Sequence, residues 1–176
     1  MKVHIFFIIL VSLLISACSK PLSQRPSDFS LTLEWDTGAL PPQYHYAYVI
    51  RIQPGSQADF TYAAGYEPLT QPDAWQAKFD LSESQLDALY AYLLGNDMLK
   101  SGWKTGQPLL GGSGTRILIQ AEGTTYEIPS ISILDKSQRQ DVEALMDYIR
   151  DLVPGTIWQE MEERQAQHEA DYENQS

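Results

Sequence analysis

The chain has 176 residues and a formal charge of −11, with 23 acidic residues against 12 basic ones. That balance disfavours nucleic acid and anionic lipid headgroups as partners, because the scattered basic residues form no stripe to neutralise phosphates. One ordinary hydrophobic core suits this length, and a single Cys offers it no internal disulfide.

The first element is a leader. Lys2 supplies a positive charge, and Ile5 to Ala17 is an apolar run interrupted only by Ser12 and Ser16. A bilayer span needs about 20 apolar residues, so the run is too short to cross and has the length of a secretory signal. Leu14-Ile15-Ser16-Ala17-Cys18 resembles the lipobox of bacterial lipoproteins, a resemblance confined to the leader. It implies cleavage before Cys18, lipidation of the Cys18 thiol by fatty chains such as palmitate, and attachment to a membrane of the cell envelope. Two or three chains suffice for lasting attachment. Gram-negative members of the family use Asp after the Cys to stay at the inner membrane. Ser19 therefore implies the outer membrane, facing the periplasm, in such a host. Residues 18–28 read as a polar tether with Pro21 and Pro26, reaching at most about 35 Å.

Residues 29–158 read as one α+β domain. Phe29, Leu31, Leu33 and Trp35 alternate with polar residues, which predicts a half-buried first strand. Asp36-Thr37-Gly38 turns the chain, and 44–53 predicts a second strand with Tyr44, Tyr46, Tyr48, Ile50 and Ile52 on one face. Pro54-Gly55-Ser56 closes a hairpin to a third strand through Phe60, Tyr62 and Ala64, and Trp75, Ala77 and Phe79 mark a fourth. Ser82 and Gln85 have capping-box spacing, with Leu81 and Leu86 as a hydrophobic staple. Leu86, Leu89, Tyr90 and Leu93 then follow a helical period up to Gly95.

The glycine-rich connection 96–114 is unusually long and contains Trp103. Ile117 and Ile119, then Tyr126 and Ile128, predict two more strands joined at Glu122-Gly123. Asp135 or Ser137 caps a second amphipathic helix through Val142, Leu145, Met146 and Ile149. Residues 159–176 read as an acidic tail, helical or disordered, with no apolar stripe. The expected order is ββββ-α-ββ-α: an antiparallel sheet of about six strands with two amphipathic helices on one face.

Few residues suggest chemistry. Asp36-Thr37-Gly38-Ala39 resembles the D-T-G-[AS] signature of aspartic proteases, which implies a shared-proton carboxylate pair. A single triplet supplies half of that pair, so a dimer would be needed; a turn after a strand is the bland reading of the same residues. Ser113 lacks the following glycine of a nucleophile elbow, since Thr115 stands there. After cleavage only His45 and His168 remain as nitrogen ligands, far apart in sequence, so no metal or other cofactor is expected. The row Tyr44, Tyr46, Tyr48 is core if it faces the helices, and a stacking platform for a sugar or protein if it faces outward. With Trp103 it forms the candidate binding set.

The functional expectation is a membrane-anchored envelope lipoprotein acting as a non-enzymatic binding or structural module, with a protein or cell-wall partner. A hydrolase acting through Asp36 and an inhibitor of an envelope enzyme are the alternatives.

Overall fold

The computed structural model describes residues 24–71, 74–107 and 111–174; the leader, Cys18 and Ser19 lie outside them. Six strands form one antiparallel sheet: β1 (Ser30–Asp36), β2 (Tyr46–Ile52), β3 (Gln57–Ala64), β4 (Trp75–Asp80), β5 (Gly114–Ala121) and β6 (Thr124–Ile128). Their spatial order is β4-β3-β2-β1-β5-β6. Three helices complete the α+β fold: α1 (Glu83–Gly95), α2 (Lys136–Asp151) and α3 (Gly155–Glu173).

Register follows the alternation. Leu31 lies opposite Ile52, Ile52 opposite Ala58, and Ala58 opposite Phe79, so one face carries the apolar residues of four neighbouring strands. Ile117 and Ile119 extend that face through β5. The other face bears cross-strand ion pairs, Arg51 with Asp59 at 3.3 Å and Arg116 with Glu127 at 3.1 Å. Val49, Thr61 and Ala63 share this face and are also buried.

The local signals act as their chemistry requires. Ser82 caps α1, with Gln85 returning the bond in a full capping box, and Leu81 and Leu86 are both buried. Asn96 is the C-cap, and Asp97 rather than a glycine takes the left-handed conformation beyond it (φ 53°). Asp135 caps α2 by accepting the Ser137 N–H at 3.0 Å. Glu122 and Gly123 both have positive φ, which suits a two-residue hairpin.

Three sequence expectations need correction. The order is ββββ-α-ββ-αα, and three helices, not two, contribute buried residues to the same core as the inward strand residues. The added helix is α3, which runs through the 158/159 boundary and buries Ile157, Met161 and Gln165 at i, i+4 and i+8. Strand β2 begins at Tyr46, because the Pro41 carbonyl accepts the N–H groups of Tyr44 and His45 at 2.9 and 3.0 Å and draws them into a turn. Tyr44 is consequently 44% exposed and outside the row.

The tether range also divides. Arg25 pairs with Glu83 and Asp87 at the start of α1, and Asp28 accepts the N–H groups of Glu122 at 3.0 Å and Gly123 at 2.6 Å. The chain is therefore tied down from Arg25 onward, at the pole holding the start of β1 and the β5–β6 turn.

The Gly123 N–H, foremost, holds the Asp28 carboxyl below its ordinary value of 3.8. A depressed value means that the anchoring contribution is complete above the unfolded value and disappears as pH falls through the folded one. The difference in unfolding free energy between wild type and Asp28→Ala, followed by urea denaturation, should be constant from neutral pH to about pH 5 and shrink in stronger acid.

Candidate functional site

The sheet's opposite pole is built from the end of β1, the start of β2, the end of β3 and the start of β5. Asp36 stands there. Its Oδ1 accepts the N–H groups of Gly38 at 2.7 Å and Gly114 at 3.3 Å, which closes the turn after β1 and joins it to β5. Gly38 has φ 74°, and a Cβ on it would overlap the Gly112 carbonyl oxygen; a Cβ on Gly114 would overlap the Asp36 carboxylate. The Asp-Thr-Gly stretch thus has a full structural account as a turn.

His45 is buried, its Nδ1 against the Gly65 carbonyl and its ring stacked on Tyr66 at 3.8 Å. His168 is on α3 and approaches the Pro42 carbonyl at 3.4 Å. Among the described residues no group of three or more His, Cys, Asp and Glu is placed to hold a metal ion. No helix among them is long and apolar enough to cross a membrane.

Trp103 packs partly buried against the core beneath the Lys100 ammonium, which lies 4.6 Å from its ring centroid. Its stretch is tied to the segment before α2, where the Gly106 N–H donates to Ile133 at 2.7 Å and Thr105 bridges Leu134. Trp103 and Tyr44 are not brought to the tyrosine row.

Tyr46 and Tyr48 do come together, on the helix-covered face, lining a cleft of about 630 Å³. Trp35 lies opposite Tyr48 across the β1–β2 ladder and stacks on it at 5.1 Å, with Tyr46 tilted against the same indole at 5.4 Å. The last two turns of α2 bring Asp147, Arg150 and Asp151 to one wall. The first two turns of α3 bring Trp158, Met161 and Glu162 to the other. Trp158 is fixed from several sides. Its Nε1 donates to the Arg150 carbonyl at 3.2 Å, its ring meets Tyr48 and Phe60 edge-on, and the Arg150 guanidinium lies 5.3 Å from its centroid.

Two electrostatic features set this cleft apart. The first is Tyr48, which is 2% exposed and whose shielded hydroxyl has no hydrogen-bond partner. Burial pushes its pKa up to about 12, with Arg150 pulling the other way and Tyr46 and Asp147 adding to the rise. The hydroxyl therefore lies within electrostatic reach of three cleft residues. A buried polar group without a partner costs about 1–3 kcal/mol. The second is charge: Asp147, Asp151 and Glu162 face one guanidinium, and none of these four side chains forms an ion pair among the described residues.

A smaller recess of about 410 Å³ lies on the other side of α3, between Trp75 and His168. Its polar groups are engaged: Arg164 pairs with Glu160 at 2.7 Å and covers Trp75, Tyr62 donates to Gln165, and Gln71 donates to Glu67. Of the two cavities only the larger is lined by a residue with an orphaned polar atom; the second such atom among the described residues, Trp103 Nε1, belongs to neither.

Sequence reasoning identified Tyr46 and Tyr48 but not Trp35 as their partner, nor the α2 and α3 walls. The signal for Trp35 was present in the strand alternation, where it occupies the inward phase with Leu31 and Leu33. Compared with protein-family models and with curated proteins, the chain matches none.

Because the Tyr48 hydroxyl is desolvated without compensation, Tyr48→Phe should leave the unliganded protein as stable as wild type, or up to about 1–3 kcal/mol more stable. Urea denaturation checks this. A clear loss of stability would mean that the hydroxyl is paired in solution.

Proposed function

We propose that the protein is a lipid-anchored binding module of the bacterial envelope, and that the aromatic cleft is its binding site. The lipobox at residues 14–18 supports the anchor. The seven residue steps from Cys18 to Arg25 reach at most about 25 Å, so a lipidated Cys18 keeps the Arg25–Asp28 pole beside the bilayer.

The observation that carries the functional part is the buried, partnerless Tyr48 hydroxyl in a cleft floored by Trp35 and Tyr46. The 7 residues of β1 put about 20 Å between the tethered pole and this cleft. The site thus faces away from the membrane, toward a protein or cell-wall component. In a Gram-negative host, Ser19 puts the anchor in the outer membrane and the cleft in the periplasm. The acidic surface argues against nucleic acid.

Two measurements test this. In the native bacterial host, the wild type should incorporate an alkyne-tagged palmitate analogue and sediment with membranes, and Cys18→Ser should do neither. In nanodiscs containing a nitroxide-labelled lipid, NMR signals of Glu122 and Gly123 should broaden while those of Glu162 stay sharp. Broadening of Glu162 to the same degree would contradict the orientation, and an unlabelled wild type would remove the anchor.

A further inference from the structure

We infer that the cleft takes a cationic side chain, Lys or Arg, presented by a protein partner. This rests on reading the cleft as the binding site and adds the chemistry of its ligand.

Three features of the cleft converge on a cation. Trp35, Tyr46 and Tyr48 line the cleft, and aromatic rings attract a positive charge through their electron-rich faces. Asp147 and Asp151 on one wall and Glu162 on the other leave a surplus of negative charge over Arg150, with no ion pair among the described residues to neutralise it. The third is the Tyr48 hydroxyl, buried and with no hydrogen-bond partner among the described residues. An ammonium or guanidinium head supplies what each lacks: charge for the carboxylates, a face contact for the rings and an N–H donor for Tyr48.

Arg150 narrows the geometry. Its guanidinium already occupies the face of Trp158, so the rings left to the incoming head are those of Trp35 and Tyr46. The acidic net charge of the chain, −11, steers a basic partner toward it and opposes self-association through the same site. An aromatic platform with nearby carboxylates is also the chemistry of sugar recognition, but a neutral sugar does nothing for the unbalanced charge. Carbohydrate is therefore the competing outcome in the test.

The full chain, ¹⁵N-labelled in detergent micelles, is titrated with the peptide Lys-Gly-Lys-Gly-Lys-Gly and separately with chitotetraose, following the Trp indole N–H signals. The Lys peptide should shift the Trp35 and Trp158 signals with one-site saturation and leave Trp103 in place. A double variant, Asp147→Asn with Glu162→Gln, should weaken that binding about tenfold. The charge-matched control, Asp171→Asn with Glu173→Gln at the far end of α3, should leave it unchanged. Equal weakening in both variants would reduce the effect to bulk charge and overturn the inference. Chitotetraose shifting the two signals while the Lys peptide does not would also overturn it, and would leave the binding-module reading standing. Movement with neither probe would remove both.

Discussion

The cleft depends on one buried side chain, Gln165. It is 8% exposed, and both ends of its amide are engaged. Oε1 accepts from Tyr62 at 2.7 Å, and Nε2 donates to the Gln43 carbonyl and to Glu169, both at 2.9 Å. The bonds with Tyr62 and Gln43 join α3 to β3 and to the turn before β2. Each intramolecular bond adds only about 1 kcal/mol, but a buried amide or phenol left alone would cost more. Helix α3 otherwise docks through buried Ile157 and Met161 and the partly buried Trp158. Without its docking, Trp158, Met161 and Glu162 would not stand opposite α2, and Tyr48 would lie at an open surface instead of the floor of a cleft.

Around that contact the fold assigns different chemistry to its two sheet faces and its two poles. Alternation sends apolar residues of the strands under three helices and leaves cross-strand ion pairs on the outside. Asp28 and Arg25 fasten the arriving chain at one pole, where their partners belong to the β5–β6 turn and to α1. Asp36 does the equivalent at the other, gathering the N–H groups of Gly38 and Gly114. Two carboxylates with the same role, turn closure, thus bracket β1.

How much of this was legible depended on the range of the interactions involved. The capping box at Ser82, the Glu122-Gly123 turn and the alternation of β1 and β3 are decided by residues a few positions apart, and periodicity finds them. Tyr44 misled because it continues the alternation perfectly; the Pro41 carbonyl, a turn away, captures its N–H and that of His45. Helix α3 was missed as a core element for a different reason. Its third inward position is a glutamine, which any hydropathy count scores as exposed, and its partners Tyr62 and Gln43 lie 103 and 122 residues back. The cleft shares that difficulty. Its floor belongs to two strands with a clear pattern, whereas its charged walls come from the ends of α2 and α3, where Asp147, Arg150, Asp151 and Glu162 look like ordinary solvated helix residues. Nothing local marks four such side chains as neighbours.

The central claim is that α3 is docked on the sheet in solution, because the cleft has its second wall only when it is. Native-state hydrogen exchange, read amide by amide, addresses this directly. The account predicts that the amides from Trp158 to Gln165 are protected to a degree comparable with those of β2 and β3, and that protection declines toward Glu173. Exchange of the whole 155–173 segment at the rate of an unstructured chain, beside a protected sheet, would contradict it.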